Sequence, residues 1–258
     1  MREPPPDPWH LLRSRTAARI GLGRAGISLP THQVLALARA HASARDAVYA
    51  TLDLQALLSE LAALKLDALT VESEAVDRKR YLLRPDQGRR LSPGSRKLLE
   101  CAAVQSCDLA IVIGDGLSAS AVNAHAAPLV AALLPHLERL GLRLAPITIA
   151  CGARVALGDE IAALLKARLV AVLIGERPGL SSPDSLGIYL TFDPRAGRSD
   201  AERNCISNVR ADGLTPPDAA ARLAWLVRQA LSRGLTGVAL KDESDLLQRR
   251  GDPSRLER

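Results

Sequence analysis

Glu176 and Arg177 place a carboxylate and a guanidinium side by side, directly before Pro178 and Gly179. The preceding run, residues 169–174, is apolar without alternation, which indicates a parallel strand buried on both faces. Ligands of open parallel sheets bind beyond the carboxyl ends of the strands. The pattern therefore predicts a ligand loop in which Glu176 accepts hydrogen bonds from ligand amides. The alternative is an internal Glu176–Arg177 ion pair that only fixes the loop.

A second polar segment, residues 202–208, surrounds Cys205 and Ile206 with short polar side chains. Such a loop suits a ligand with many amide and hydroxyl groups, and an ordinary turn rich in Asn and Ser fits the same pattern. The four cysteines form no C-x-x-C pair and have no zinc-like spacing to histidine, so each is interpreted as a small reduced hydrophobic residue. No metal site is predicted.

Two glycine-rich segments could receive an anion. Residues 21–26 match G-x-G-x-x-G, but they follow a predicted helix, so a turn between two helices is the favoured interpretation. Residues 114–118 follow a predicted strand and precede a helix. There, free backbone N–H groups could bind an anion, or Asp115 or Ser118 could simply cap the helix.

The elements that must position these loops alternate between strands and helices. We predict strands at 66–71, 109–113, 142–149, 169–174, 188–192 and 237–240, and helices at 118–140, 155–167 and 216–231. This alternation predicts an α/β fold with a largely parallel, doubly wound sheet. Further helices, one of them capped by Thr31, predict a small helical N-terminal lobe.

The predicted organisation has four parts. They are a disordered N-terminus at 1–8, the helical lobe at 9–65, the sheet domain at 66–240 and a charged C-terminal tail at 241–258.

Composition excludes several classes of protein. Aromatic residues make up only 2% of the 258 residues, which argues against a stacking platform for nucleic-acid bases. The net charge is +6, but the arginines are scattered and no nucleic-acid-binding fold signature accompanies them, so we predict no nucleic-acid partner. Charges interrupt every long apolar run and the N-terminus has no secretory signal, so we predict a cytoplasmic chain without a membrane span.

Taken in order, several segments resemble the small (light) subunit of ethanolamine ammonia-lyase, an adenosylcobalamin enzyme. The segments that carry the resemblance are 14–26, 77–91, 112–118, 154–161, 174–180, 184–186, 203–208 and 213–217. One departure stands at Gly152 and Ala153, where the family usually has a polar or aromatic residue followed by glycine.

The resemblance implies a Rossmann-like domain that binds cobalamin against a large TIM-barrel subunit in a hetero-oligomer. Cofactor-binding positions carry over to Val155, Glu176 and Cys205, and no catalytic residue or metal ligand is expected on this chain. The cobalamin of that family keeps its own dimethylbenzimidazole as lower ligand, and this chain has no Asp-x-His-x-x-Gly motif that would replace it.

The implied reaction converts ethanolamine to acetaldehyde and ammonia, and requires the large subunit. The implied location is the cytoplasm or a bacterial microcompartment. Two other functions remain open at this point: a stand-alone dinucleotide-dependent oxidoreductase, based on residues 21–26 and the sheet, and a basic nucleic-acid-binding module.

Overall fold

The structure is a computed structural model that describes residues 9–16, 18–102 and 106–244. The predicted disordered segment 1–8 and most of the predicted tail, 245–258, lie outside the described residues. The helices are α1 (His10–Arg13), α2 (Thr31–Tyr49), α3 (Leu54–Ala63), α4 (Arg78–Leu83), α5 (Pro93–Ala102), α6 (Ala119–Arg139), α7 (Leu157–Leu164) and α8 (Pro216–Arg233). The strands are β1 (Ala68–Glu72), β2 (Cys107–Gly114), β3 (Ile147–Cys151), β4 (Ala167–Gly175), β5 (Leu186–Phe192) and β6 (Arg203–Val209).

The strands form one sheet in the order β1-β3-β2-β4-β5-β6. The first four are parallel neighbours, whereas β5 pairs antiparallel with β4, and β6 antiparallel with β5. The predicted α/β class with a mostly parallel sheet is confirmed. The predicted doubly wound topology is wrong, because such a chain starts inside the sheet and winds outward to both edges. This chain starts at the edge strand β1 and adds β5 and β6 as an antiparallel extension.

The central strands β2 and β4 are buried on both faces. Leu109 and Leu173 belong to a core with residues of α3, α6 and α8, whereas Val112 and Val172 belong to a second core with residues of α5 and α7. Side chains alternate between the two faces of a strand, so a strand covered on both sides is apolar at every position. This explains the unbroken apolar run 169–174.

Two sequence predictions at the end of the sheet are wrong. The sequence predicts a loop at 202–208, but most of this segment is β6, whose buried residues Arg203, Ile206 and Val209 are three apart. Arg203 and Ile206 face opposite sides of the sheet, and a bulge in the pairing with β5 lies between Ile206 and Val209. A strand is normally recognised by a period of two, so this pattern hides it. The predicted strand 237–240 is a short 3₁₀ turn at Gly237–Ala239.

The long helix α6 runs without a break through Pro128 and Pro135. Each proline removes one backbone hydrogen bond from the helix, but Leu129 and Leu133, among other residues of α6, are fully buried against the sheet. Tertiary packing therefore outweighs the local preference. No helix in the described ranges is long and apolar enough to cross a membrane.

The glycine-rich segment 21–26 connects α1 to α2 and contains no strand. Gly21, Gly23 and Gly26 all have positive φ, and a Cβ at Gly21 would overlap the Trp9 ring. Glycine is therefore required here for a turn. The match to a dinucleotide-binding motif is accidental, and the oxidoreductase hypothesis loses its basis. The predicted cap at Thr31 is also wrong, because Thr31 is the first residue of α2 and its side chain caps nothing.

A buried ion pair joins α7 to the edge strand β6. The Arg203 guanidinium donates to both carboxylate oxygens of Asp159, at 2.7 and 2.6 Å, and also to the Thr191 hydroxyl on β5. The side chains of Arg203 and Asp159 are only 2% and 1% exposed. Removing one partner of such a pair leaves the other charge buried without compensation, which is strongly destabilising.

We expect Asp159→Asn to lower the free energy of unfolding by about 3–5 kcal/mol, as measured by urea denaturation. The matched control is Asp200→Asn, because Asp200 also faces Arg203, at 3.6 Å, but is fully exposed. Exposed pairs contribute roughly 0–1 kcal/mol, so the control should remain close to the parent chain. Equal losses in the two variants would contradict the assignment of the buried pair.

Candidate functional site

The carboxyl ends of β2, β3 and β4 surround an open cavity of about 430 Å³. Its polar and aromatic lining includes Tyr81, Arg154, Glu176, Arg177 and Tyr189, together with the apolar Val155. Each of the three parallel strands therefore contributes the loop that follows it. This is the edge at which parallel sheets bind ligands, and the sequence-predicted Val155 and Glu176 meet here.

Close backbone contact fixes the end of β4. A Cβ on Gly175 would lie 2.0 Å from the Ser118 carbonyl oxygen, and one on Gly116 would lie 2.3 Å from the Gly175 carbonyl oxygen. The Leu117 N–H donates to that same Gly175 oxygen at 2.8 Å. Glycines at these positions therefore let the loop after β2 and the end of β4 touch, and Glu176 leaves the sheet from a fixed point.

The Glu176 carboxylate is held by the strands on its other side. Its Oε2 accepts hydrogen bonds from the Ser185 hydroxyl at 2.5 Å and from the Asn208 N–H at 3.3 Å. The alternative of an internal ion pair with Arg177 is not observed, since Glu176 makes no ion pair within the described part of the chain. The carboxylate acts as an acceptor of neutral donors, and the exposed Arg177 lines the cavity beside it.

Val155 lies in the tight connection between β3 and α7. The Ala153 N–H donates to Asp115 Oδ1 at 2.9 Å, and the Arg154 N–H donates to the Gly88 carbonyl oxygen at 2.8 Å. Gly152 has positive φ, and its oxygen accepts from the Ser73 hydroxyl. The departure from the family pattern at positions 152 and 153 therefore leaves a well-anchored turn before Val155.

Tyr81 forms the wall behind this turn. The guanidinium groups of Arg78 and Arg154 both lie over its ring, with their central carbons 4.7 and 4.3 Å from the ring centroid. Its hydroxyl donates to the Ala153 carbonyl oxygen, and burial raises the pKa of Tyr81 to about 12, so the hydroxyl remains a donor at neutral pH. Cation–π attraction therefore favours keeping both guanidinium groups against the Tyr81 ring.

The glycine-rich turn 114–118 has a structural role. The Ser118 hydroxyl caps α6 by accepting from the Ala121 N–H, which confirms one of the two predicted caps. Asp115 accepts instead from the Gly116 and Ala153 N–H groups and faces Arg78 at 3.8 Å. The Asp115 carboxylate thereby ties the end of β2 to the turn that carries Val155.

Cys205 lies outside the cavity lining but next to it. It is an exposed residue of β6, paired across the sheet with Tyr189, whose side chain lines the cavity. The protein atoms around the thiol raise the pKa of Cys205, the Tyr189 hydroxyl opposes this, and the Glu176 carboxylate adds to it. The three predicted residues therefore form one continuous surface, with Tyr189 between Glu176 and Cys205.

Several residues of the site are not evident from the sequence. Tyr81 and Arg154 fall within segments that carry the resemblance, but no pattern showed that they would stack. The sequence places Tyr189 only in a predicted strand, and Ser185 only in a short segment that matches the family. The signal that could have found Ser185 is its antiparallel pairing opposite Glu176, which the prediction of a mostly parallel sheet concealed.

Comparisons with a family model and with known proteins identify the same family. The family model for the ethanolamine ammonia-lyase light chain matches residues 6–241. The chain belongs to this family. A protein named ethanolamine ammonia-lyase small subunit from Bradyrhizobium diazoefficiens is 56% identical over 234 residues, which cover 90% of each chain. The protein of the same name from Azotobacter vinelandii is 54% identical over 243 residues, covering 93% of this chain and 90% of that one.

A pH-dependent labelling experiment tests the proximity of Glu176 and Cys205. Because the Cys205 pKa is raised, its alkylation by iodoacetamide should increase only at alkaline pH, and Glu176→Gln should shift this increase to lower pH by removing a negative charge. Peptide mass spectrometry follows Cys205 and, as an internal control, the exposed Cys101. A pH profile of Cys205 that is identical in both proteins would contradict the arrangement.

Proposed function

We propose that this chain is the small subunit of an adenosylcobalamin-dependent ethanolamine ammonia-lyase, which converts ethanolamine to acetaldehyde and ammonia. It forms part of the cobalamin site at its interface with a large TIM-barrel subunit. The observation that carries the proposal is the convergence of Val155 and Glu176 on one cavity, with Cys205 beside it. Family membership supports the same assignment. Residues 66–240 then form a Rossmann-like cobalamin-binding domain whose ligand edge is the parallel part of the sheet.

The polar groups of the cavity suit the periphery of a cobalamin. A corrin ring carries amide side chains around its edge, and its nucleotide tail carries one phosphodiester. The Glu176 carboxylate can accept from amide N–H groups, and Arg154 and Arg177 can donate to amide oxygens or to the phosphodiester. The buried Nε of Arg154 has no hydrogen-bond partner among the described residues. The residues present therefore fit the group.

The size of the cavity limits what this chain can contribute to the reaction. When bound, adenosylcobalamin supplies the radical chemistry, and the protein supplies binding, orientation and electrostatics. A cavity of about 430 Å³ covers only part of so large a cofactor, so this chain provides one wall. We assign it no catalytic residue: Val155 and Tyr189 pack against the ligand, Glu176 and the arginines orient it, and the substrate is handled by the large subunit.

The N-terminal lobe supports a protein partner. Helix α2 has 19 residues, of which only Ala47 is buried. Ile27, Leu35 and Leu11 expose 103, 64 and 76% of their surface. Large apolar side chains exposed within one segment of the chain favour an interaction surface there. Residues 9–49 also contain six arginines and one aspartate, so repulsion disfavours pairing with a second copy and favours an acidic partner face.

We propose that the assembled enzyme is located in the cytoplasm, either free or inside a bacterial microcompartment. The family allows either the cytoplasm or a bacterial microcompartment. Fluorescence microscopy of a tagged chain in its host distinguishes diffuse from punctate distribution.

Glu176→Gln should weaken cobalamin binding by the complex with the large subunit by about tenfold to a hundredfold, which is the loss of one charge-assisted hydrogen bond. Equilibrium dialysis with hydroxocobalamin measures the change. Glu138→Gln removes the same charge from an exposed site on α6 and should leave the affinity unchanged. Binding that is equal in the parent, Glu176→Gln and Glu138→Gln complexes would refute the assigned role of Glu176.

Leu35→Glu should weaken association with the large subunit by tenfold or more, because it places a charge in an apolar interface. Val238→Glu is the matched control, since Val238 is 82% exposed but lies far along the chain from the lobe. Size-exclusion chromatography at graded concentrations measures both complexes. The thermal unfolding of the isolated chains should not change, and association unaffected by Leu35→Glu would rule out this face.

A further inference from the structure

Ser185 contacts Glu176 through both its side chain and its backbone. The Ser185 hydroxyl donates to Glu176 Oε2 at 2.5 Å, and the Glu176 N–H donates to the Ser185 carbonyl oxygen at 2.9 Å. Gly175 pairs with Leu186 in the antiparallel ladder, so Glu176 and Ser185 form the next pair beyond it. Ser185 is 6% exposed, which places its hydroxyl behind the carboxylate rather than in solvent.

Two further residues complete the cradle of this carboxylate. The Asn208 N–H at the end of β6 donates to the same Oε2, from a backbone with φ of +59°. A Cβ on Gly187 would lie 2.7 Å from Glu176 Oε1, so the Glu176 side chain occupies the space that any larger residue at 187 would need. The carboxylate therefore lies across β5, with its position set from three sides.

The two carboxylate oxygens have different environments as a result. Oε2 has two protein donors, whereas Oε1 has no hydrogen-bond partner within the described ranges. A carboxylate accepts through both oxygens, so Oε1 is the acceptor left for a ligand. Without the Ser185 hydroxyl, Oε2 would keep only the longer bond from the Asn208 N–H at 3.3 Å, the side chain could rotate, and binding would have to order it.

We propose that Ser185 is a positioning residue for the cobalamin site: it holds Glu176 so that Oε1 faces the ligand, and it does not touch the ligand itself. The inference rests on the proposed function of Glu176 and extends it to a residue to which neither the family resemblance nor the cavity lining assigns a role. Its effect on the cofactor must therefore pass entirely through Glu176.

A double-mutant cycle tests this dependence in the complex with the large subunit, with hydroxocobalamin as the probe in equilibrium dialysis. Ser185→Ala should raise the dissociation constant about fivefold to tenfold, less than Glu176→Gln does, because the carboxylate remains and only the cost of ordering its side chain is added. In a Glu176→Ala background the same change should have less than about a twofold effect, because coupled residues are not additive. Ser185→Thr keeps the hydroxyl and should restore most of the affinity.

Controls separate positioning from folding. Ser182→Ala removes a hydroxyl from the same loop and should leave binding unchanged, while thermal unfolding of each variant reports stability. A lower unfolding temperature for Ser185→Ala with unchanged affinity would overturn the positioning role, as would an equal loss of affinity in the Glu176→Ala background. If Glu176→Ala alone left the affinity for hydroxocobalamin unchanged, the proposed function of Glu176 would fail as well. If Glu176→Ala lowered this affinity and Ser185→Ala did not, only the inference about Ser185 would be overturned.

Discussion

The contact between Gly175 and the loop after β2 is the constraint on which the site depends. The two backbones approach so closely that a side chain at either Gly175 or Gly116 would overlap its neighbour. Ser118 contributes a carbonyl to this contact and its hydroxyl to both the α6 cap and the Pro183 carbonyl oxygen. The end of one central strand, the start of the longest helix and the loop that begins at Glu176 therefore form one rigid corner.

Two parts of the mixed sheet lie next to this corner: the loops that follow the parallel strands, and the antiparallel strands β5 and β6. Parallel strands bring the loops after β2, β3 and β4 to the same edge, where Val155 and Glu176 meet. The antiparallel return through β5 and β6 then places Ser185 and Asn208 directly beside Glu176, and Cys205 beside Tyr189. A purely parallel sheet would need a crossover helix at this point and could not place these residues there. The buried Asp159–Arg203 pair holds the extension against α7.

Some elements and site residues could be predicted from the sequence and others could not, for physical reasons. The central strands and the long helices could be predicted because burial on both faces leaves an unbroken apolar run, as in residues 169–174. Strand β6 could not be predicted, because its bulge and its polar residues remove the period of two in apolar residues that marks a strand. The position of Glu176 at a sheet edge followed from its strand. Its partners Ser185 and Asn208 are separated from it by 9 and 32 positions, and only the antiparallel topology unites them.

The N-terminal lobe and the cavity both present surfaces that the rest of this chain does not cover. A 19-residue helix with one buried residue gains little stability from its packing within this chain. The cavity is likewise open to solvent, although close backbone contacts at Gly116 and Gly175 fix two of the loops that line it. Arg19 links the two regions, since its guanidinium donates to the Leu180 carbonyl oxygen in the loop after Glu176. The proposed partner surface and the loop that begins at Glu176 are therefore in direct contact.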